Sequence, residues 1–309
     1  MLISVVVPSY NRADTVRETL DSILAQEVDA DLEIIIGDDC STDNAREVLL
    51  GYQERYPDII RLIFHEQNMG LGANWATCIK ACKGKYICNC DNDDYWHNPH
   101  KLQLQLDYME THPESNICLT NFRMHNRSTN DIKEESSWID PQMPLQQAFF
   151  KGHTSLCNAT VMYRTDFIMN RLPLDDFIKY RFYLQDWTAW LILSAYTNFD
   201  LLPDSTATFG VETVSITRPD TYERLQDRME KELGCYKYCC NMFPQLEFDE
   251  KGWYSYVDGL LLALACRKGD YRRAKQYARR LNNHSWKVRS AKTWLTFQLY
   301  LMINRLRRK

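Results

Sequence analysis

Three groups of side chains in this 309-residue chain are of a type and spacing that could do chemistry. The densest is Asp91-Asn92-Asp93-Asp94, three carboxylates within four residues. Carboxylates this close repel one another unless a cation or solvent relieves them. Mg2+ and Mn2+ take oxygen ligands and keep coordination positions open for phosphate oxygens. A metal bridging an aspartate and a diphosphate would neutralise the charge that builds on a nucleotide leaving group. A solvated turn with an Asx cap is the other reading of the same residues. Asp38-Asp39 is a second acidic pair. One member can accept from the donor edge of a base or from a ribose hydroxyl. The other, like Asp43, can cap a helix or bind backbone amides. Asn68, Gly70 and Asn74 frame a loop that leads into a helix. Gly70 there permits positive φ or a close backbone approach to a ligand, and an ordinary strand-to-helix turn needs the same freedom.

The elements that must position these groups alternate along the chain. Leu2 to Val7 is a continuous β-rich run, as in a parallel strand covered on both faces. Further buried strands are expected over Leu32 to Ile36, Ile59 to Phe64, Tyr86 to Cys90 and Ile117 to Phe122. Helical spacing falls between them, over Thr15 to Leu24, Asn44 to Tyr52, Gly70 to Ala81 and beyond Pro99, with Ser41 or Thr42 as a cap for the second. This order predicts an α/β fold, Rossmann-like, with a mostly parallel sheet and helices on both faces. The first strand is not followed by GxGxxG, so the standard dinucleotide fingerprint is absent. Tyr10-Asn11, Asp38-Asp39 and Asp91 to Asp94 each follow the carboxyl end of an expected strand, the edge at which open α/β sheets bind ligands. Pro8 fixes the turn after the first strand, and the ring of Tyr10 can stack on a base or close the sheet.

Residues 123–150 are polar and are expected to cross the surface without regular structure. A strand at Ala159 to Tyr163, a helix at Asp186 to Tyr196 and a short strand near Thr208 follow. From 218 to the end the pattern is helical, with pieces near 220–242, 253–267, 270–282 and 288–306. The expected organisation is 1–217 as one domain, with 1–122 as its nucleotide-binding part and 123–217 as its acceptor-binding part, and 218–309 as a helical C-terminal extension.

The composition is that of a soluble globular protein: 45% apolar, 25% charged, net charge −4. No global basic field points to nucleic acid. Residues 270–309 nonetheless carry 12 Lys/Arg against Asp270 alone, a net of +11 set on a body of −15. That asymmetry suggests an anionic partner such as lipid. Residues 286–309 read as an amphipathic helix that rests on a membrane surface, packs on the enzyme body or makes a dimer contact. Its least interrupted part is half the length needed to span a bilayer. Eleven cysteines cannot all pair within the chain and read as reduced thiols. No second CxxC or histidine pair completes a zinc site around Cys235, Cys239 and Cys240. The N-terminus has no basic segment or cleavage site and reads as a strand, not a signal peptide. The expected location is cytoplasmic, with a peripheral position on the inner face of the membrane open.

Five motifs together resemble the family 2 glycosyltransferases of bacteria, which have the GT-A fold. Pro8-Ser9-Tyr10-Asn11 resembles the family's P-x-Y-N, and Glu33 to Asn44 its E-I-I-V-D-D-G-S-x-D-x. Asn68-Met69-Gly70 through Asn74-Trp75 is similar to one subtype's N-x-G-x-x-x-N-[FW]. Gly84-Lys85-Tyr86-Ile87 followed by Asp91 to Asp94 resembles G-x-Y-I…D-x-D-D, and Gln185-Asp186-Trp187 resembles E-D-[WY]. The motifs span roughly residues 3–190.

The resemblance implies a nucleotide-sugar donor, a UDP-sugar, and a saccharide or lipid-linked acceptor. Pro8, Tyr10, Asn11, Asp38, Asp39, Asn68, Gly70, Asn74, Asp91 and Asn92 would line the donor site, with Asp39 on the base. Asp91 and Asp93 would hold Mn2+ or Mg2+ near the diphosphate. Asp186 matches the general base that deprotonates the acceptor hydroxyl, and one displacement inverts the anomeric carbon. His153 is the fallback base. The sequence departs from the family at Cys40, which replaces a glycine, and at Gln185, which replaces a glutamate. The family's Y-R-x-H falls on Phe209-Gly210-Val211-Glu212, without Arg or His. A catalytically silent nucleotide-sugar-binding relative is the alternative to an enzyme.

Overall fold

The structure is a computed structural model and describes residues 1–211 and 220–282. By its internal contacts the chain divides into two units, Met1–Thr213 and Val214–Lys309.

The first unit is built on β1 (Leu2–Ser9), β2 (Asp31–Asp38), β3 (Ile60–Phe64) and β4 (Tyr86–Asn89). These four are parallel, in the order β3-β2-β1-β4. Helices α1 (Val16–Leu24), α2 (Ala45–Arg55) and α3 (Leu71–Ala81) connect them. Every residue of β1 from Ile3 to Ser9 is buried, which requires cover on both faces. Ile3, Val5 and Val7 of β1 join Ile34 and Ile36 of β2 against Val16, Leu20 and Ile23 of α1 and Leu49 of α2. The intervening residues face the other way, where α3 packs on β1 and β2.

Beyond β4 the sheet departs from simple alternation. β5 (Tyr95–Trp96), α4 (Lys101–Thr111), β6 (Ile117–Asn126) and β7 (Asp131–Glu135) come next, then β8 (Trp138–Ile139), α5 (Leu145–Lys151) and β9 (Thr154–Ser155). A 3-10 turn at Asn158–Thr160 leads to β10 (Met162–Arg164), α6 (Thr165–Arg171), α7 (Leu174–Tyr180), α8 (Gln185–Leu193) and β11 (Asp200–Val211). Among the described residues the sheet has nine strands. β10 is antiparallel to both β4 and β6, β11 is parallel to β6, and β5 and β7 are antiparallel additions.

Several sequence expectations are corrected here. Residues 123–150 are not irregular: β6 continues to Asn126 and turns back as β7. β7 reads Asp-Ile-Lys-Glu-Glu and lies exposed at an edge, so no apolar alternation marks it. The strand expected at Ala159 to Tyr163 is a 3-10 turn followed by the three residues of β10. Ser41 and Thr42 do not cap α2; the Asp43 carboxylate accepts from the Ala45 amide at 3.0 Å.

In the second unit, α9 (Tyr222–Met242), α10 (Glu250–Arg267) and α11 (Tyr271–Asn282) share a core. It contains Leu225 and Met229 of α9, Leu261 and Leu262 of α10, and Ala278 and Leu281 of α11. The helix expected over 286–309 lies outside the described residues. No described helix is long and apolar enough to cross a membrane.

Candidate active site

The parallel register brings the carboxyl ends of the strands to one edge. Ser9 lies beside Asp38, Asp38 beside Phe64, and Val6 beside Asn89. Pro8 and Ser9 are buried, and Tyr10 leaves the strand 44% exposed. Asn11 takes φ +50. Its amide donates to Ser41 Oγ at 2.9 Å, and its Oδ1 accepts from the Thr42 amide at 2.7 Å. Asn11 thus ties the loop after β1 to the loop after β2, as a short polar side chain in the left-handed region commonly does. Cys40 is in that region too, at φ +64, where the family has glycine.

The two members of the Asp38-Asp39 pair do different work. Asp38 is fully buried; its Oδ2 accepts from Arg46 Nε at 2.6 Å and from the Ser41 amide at 3.1 Å. Asp38 Oδ1 is buried and has no hydrogen-bond partner among the described residues. Asp39 turns to the next loop, where its carboxylate accepts from the amides of Met69 and Gly70 at 2.5 and 2.8 Å. Asn68 donates to the Asp39 carbonyl at 3.3 Å. Gly70 has φ +86 and precedes α3. The structure therefore brings Asp39, Asn68 and Gly70 together. The Asn74 backbone amide donates to the Gly70 carbonyl at 3.0 Å, while its side chain turns inward, its nitrogen donating to the Gly37 carbonyl and its Oδ1 meeting His65 Nε2.

Asp91 to Asp94 form a tight turn closed by the Asp94 amide on the Asp91 carbonyl at 2.9 Å. Asn92 donates inward to Ser9 Oγ at 3.0 Å, and Thr15 and Thr19 of the α1 region donate to the carbonyls of Asn92 and Asp94. The three carboxylates diverge. Asp94 is buried and accepts from the Gly210 amide at 2.9 Å. Burial, then Asp93 and Asp91, hold its carboxyl well above the usual range, against the opposing pull of Gly210 and Arg127. A Cβ on Gly210 would stand 2.2 Å from the Asp93 carbonyl, so the end of β11 meets this turn only through a glycine. Asp93 is paired with Arg12 Nε at 3.4 Å, and its carbonyl accepts from Arg127 at 2.8 Å.

Asp91 is oriented by a chain of amides that sequence reasoning did not find. The Trp75 indole donates to Asn89 Oδ1 at 3.2 Å. The Asn89 nitrogen donates to Asn158 Oδ1 at 2.9 Å, and the Asn158 nitrogen donates to both oxygens of Asp91. An indole is a donor only, so the direction of every bond in the chain follows from Trp75. Burial first, then Asp93, push the Asp91 carboxyl up to about 7; Asn158 opposes this and Asp186 adds to it.

Asp186 enters from a different element. It sits in the first turn of α8, where its Oδ1 accepts from the Trp187 amide at 2.7 Å. Burial raises its carboxyl, against the opposing effect of those first-turn amides. The segment before α8 packs against the first turn of α3 at Gly72, where a Cβ would be 2.4 Å from the Phe182 carbonyl. Gln185, in place of the family's glutamate, is buried with Oε1 unpartnered among the described residues. His153 is half-exposed, and its Nδ1 meets Asp140 Oδ2 at 3.1 Å beside the β8–β9 ribbon. Arg12, Arg127, Asn89, Asn158 and Gly210 are the site-forming residues missed in the sequence. Arg12 follows the Pro8-Ser9-Tyr10-Asn11 motif and Gly210 falls where the family has Y-R-x-H, signals that could have found them; Arg127, Asn89 and Asn158 belong to no such pattern.

The oxygens of Asp91 and Asp93 suit a hard divalent cation, which would also relieve the repulsion that raises Asp91. Among the described residues no three or more His, Cys, Asp or Glu side chains gather into a metal site.

A mixed, mostly parallel sheet flanked by helices, with carboxylates at its strand ends and a helical extension, is a fold of GT-A type. The family model for glycosyl transferase family 2 matches residues 4–172, and the chain belongs to that family. An uncharacterised protein of Mycobacterium tuberculosis is 40% identical over 115 residues, covering 37% of this chain and 33% of that one. An uncharacterised glycosyltransferase of Nostoc is 40% identical over 111 residues, 36% of this chain and 34% of its own. Chondroitin synthase of Escherichia coli is 30% identical over 184 residues, 58% of this chain and 26% of its own. The matched stretch thus spans about a third or less of these relatives. Among solved structures, S. aureus TarS 1–349 in complex with UDP covers 85% of this chain and 81% of its own at TM-score 0.53 and 19% identity. The mannosyltransferase PcManGT from Pyrobaculum calidifontis, in complex with GDP-Man and Mn2+, covers 97% and 84% at TM-score 0.53 and 18% identity. These two likenesses concern the fold.

Proposed function

We propose that the chain is an inverting glycosyltransferase that moves a sugar from a nucleotide-diphosphate donor, a UDP-sugar, to a hydroxyl of a saccharide or lipid-linked acceptor. The observation that carries this reading is the pairing, in a chain of glycosyl transferase family 2, of a buried carboxylate in the first turn of α8, Asp186, with the Asp91–Asp94 turn that follows β4. The first is suited to proton abstraction and the second to a diphosphate site. In the transfer, the acceptor O–H gives its proton to the Asp186 carboxylate as its oxygen bonds to the anomeric carbon. The bond from that carbon to the β-phosphate oxygen breaks, and its electron pair leaves with the diphosphate. A single displacement inverts the centre. Burial makes Asp186 a stronger base than an exposed aspartate.

Asp93 and Asp91 would hold the cation, Mn2+ or Mg2+, which supplies charge neutralisation for the departing diphosphate. Asn158 keeps Asp91 turned towards that role. Asp39 retains lone pairs beyond the two amides it accepts, enough to reach a base, and exposed Tyr10 offers a ring to stack on it. We assign the transfer to residues 1–217, with the donor in 1–122 and the acceptor in 123–217.

Asp186→Asn tests the base: donor affinity stays at the parent value while transfer falls by roughly 10²–10⁴-fold. Donor affinity that collapses while turnover survives would make Asp186 a ligand instead. Asp93→Asn tests the metal role, with Mn2+-dependent UDP binding weakened at least ~10-fold, or ~1.4 kcal/mol. Binding of UDP with no release from donor plus acceptor would return the chain to a silent binder.

A further inference from the structure

The outward face of α11 has a feature that sugar transfer does not use. Arg272, Lys275 and Arg279 are exposed and stand at i, i+3 and i+7, one face of a helix. Ala274, Tyr277, Ala278 and Leu281 are buried on the opposite face. The other two basic residues of α11 lie on its flank and are paired, Arg273 with Asp270 at 3.7 Å and Arg280 with Asp258 at 3.4 Å. Arg272, Lys275 and Arg279 have no ion-pair or hydrogen-bond partner among the described residues. No carboxylate occurs between Tyr271 and Asn282. Arg267 and Lys268, exposed at the end of α10, extend the basic run towards the start of α11.

A folded surface that leaves like charges aligned and unpaired pays in self-repulsion, which an anionic partner removes. The stripe runs ~10 Å along the helix. Three aligned charges spread over that length match a plane of phosphates better than a single small ligand. Tyr277 is buried, and Tyr271, at the start of α11, is the one exposed ring of the helix; a lone ring does not make a platform for successive bases, which disfavours single-stranded nucleic acid. No aliphatic side chain lies among the three charges to insert into acyl chains, and exposed Tyr271 beside Lys275 is of a type that sits at the interface, so contact would be at the headgroup level.

We propose that the Arg272-Lys275-Arg279 face of α11 docks the protein flat on an anionic phospholipid surface. The segment is distinct from residues 286–309, and the inference stands apart from the transfer chemistry. The test uses the full chain with vesicles of phosphatidylcholine, with and without phosphatidylglycerol, at low and high salt. The parent sediments with the anionic vesicles only, and high salt releases it. The triple variant Arg272→Gln, Lys275→Gln, Arg279→Gln, with unchanged circular dichroism and UDP affinity, partitions at least ~30-fold less, on a scale of ~1 kcal/mol per basic group near the surface. Parent-like binding by the variant overturns the proposal, as does failure of the parent to bind. Binding to soluble polyphosphate without binding to vesicles also overturns it and reassigns the stripe to a free polyanion.

Discussion

Asn158 presents its amide nitrogen to both carboxylate oxygens of Asp91, at 3.3 and 3.2 Å. The bond crosses from the turn before β10 to the turn after β4, and Asn89 and Trp75 fix its direction from within the core. Groups that orient a metal-binding carboxylate typically contribute 10–100-fold to affinity. Asn158→Ala is expected to weaken Mn2+-dependent UDP binding by ~10-fold or more, read by calorimetry, with the melting temperature controlling for loss of fold. A parent-like affinity would show that Asp91 needs no orienting partner.

In the proposed reaction the pH dependence of transfer would follow from Asp186. Its buried carboxyl has a raised pKa, and it acts as a base only when ionised. Activity is therefore present above that pKa and lost as the pH falls through it. The acid limb of kcat/KM, which reports the free enzyme, should lie above the ordinary aspartate value of about 3.9. A limb at or below that value would remove Asp186 from the role of base.

Gly210 is the contact between β11 and the Asp91–Asp94 turn. Gly210→Ala puts a methyl where the Asp93 carbonyl already is. Strand or turn must shift, at a cost of ~1–3 kcal/mol. Urea unfolding should show that loss, and UDP binding should weaken with it because Asp93 moves. Unchanged stability would mean that the turn yields freely.

Cys40 carries a side chain in a left-handed conformation, φ +64. Relief of that strain is worth ~1–2 kcal/mol, offset by the ~0.5–1 kcal/mol that glycine loses in unfolded-state entropy. Cys40→Gly is thus expected to raise stability by up to ~1 kcal/mol without weakening UDP binding. A lower urea midpoint for the variant would mean that the Cys40 contact with the Glu66 carbonyl matters more than the backbone strain.

The sequence by itself determined the parallel half of the sheet and the places where chemistry gathers. Runs such as Leu2 to Val7 signal strands buried on both faces, because burial demands apolar residues at every position. Asp38-Asp39 and Asp91 to Asp94 are legible because each follows such a run within a few residues. Only the tertiary structure decided what those carboxylates touch. Asp39 closes on Met69 and Gly70, Asp94 on Gly210, and Asp91 on Asn158, partners between 30 and 116 positions away for Asp39 and Asp94 and 67 for Asp91. It also decided that β10 enters the sheet antiparallel and that β5 and β7 extend it. Strands of two to five residues bury too little apolar surface to impose a pattern on their own sequence. Their direction and register come from the neighbours they pair with, and hydrogen-bond partners far apart in the chain leave no periodic mark in it.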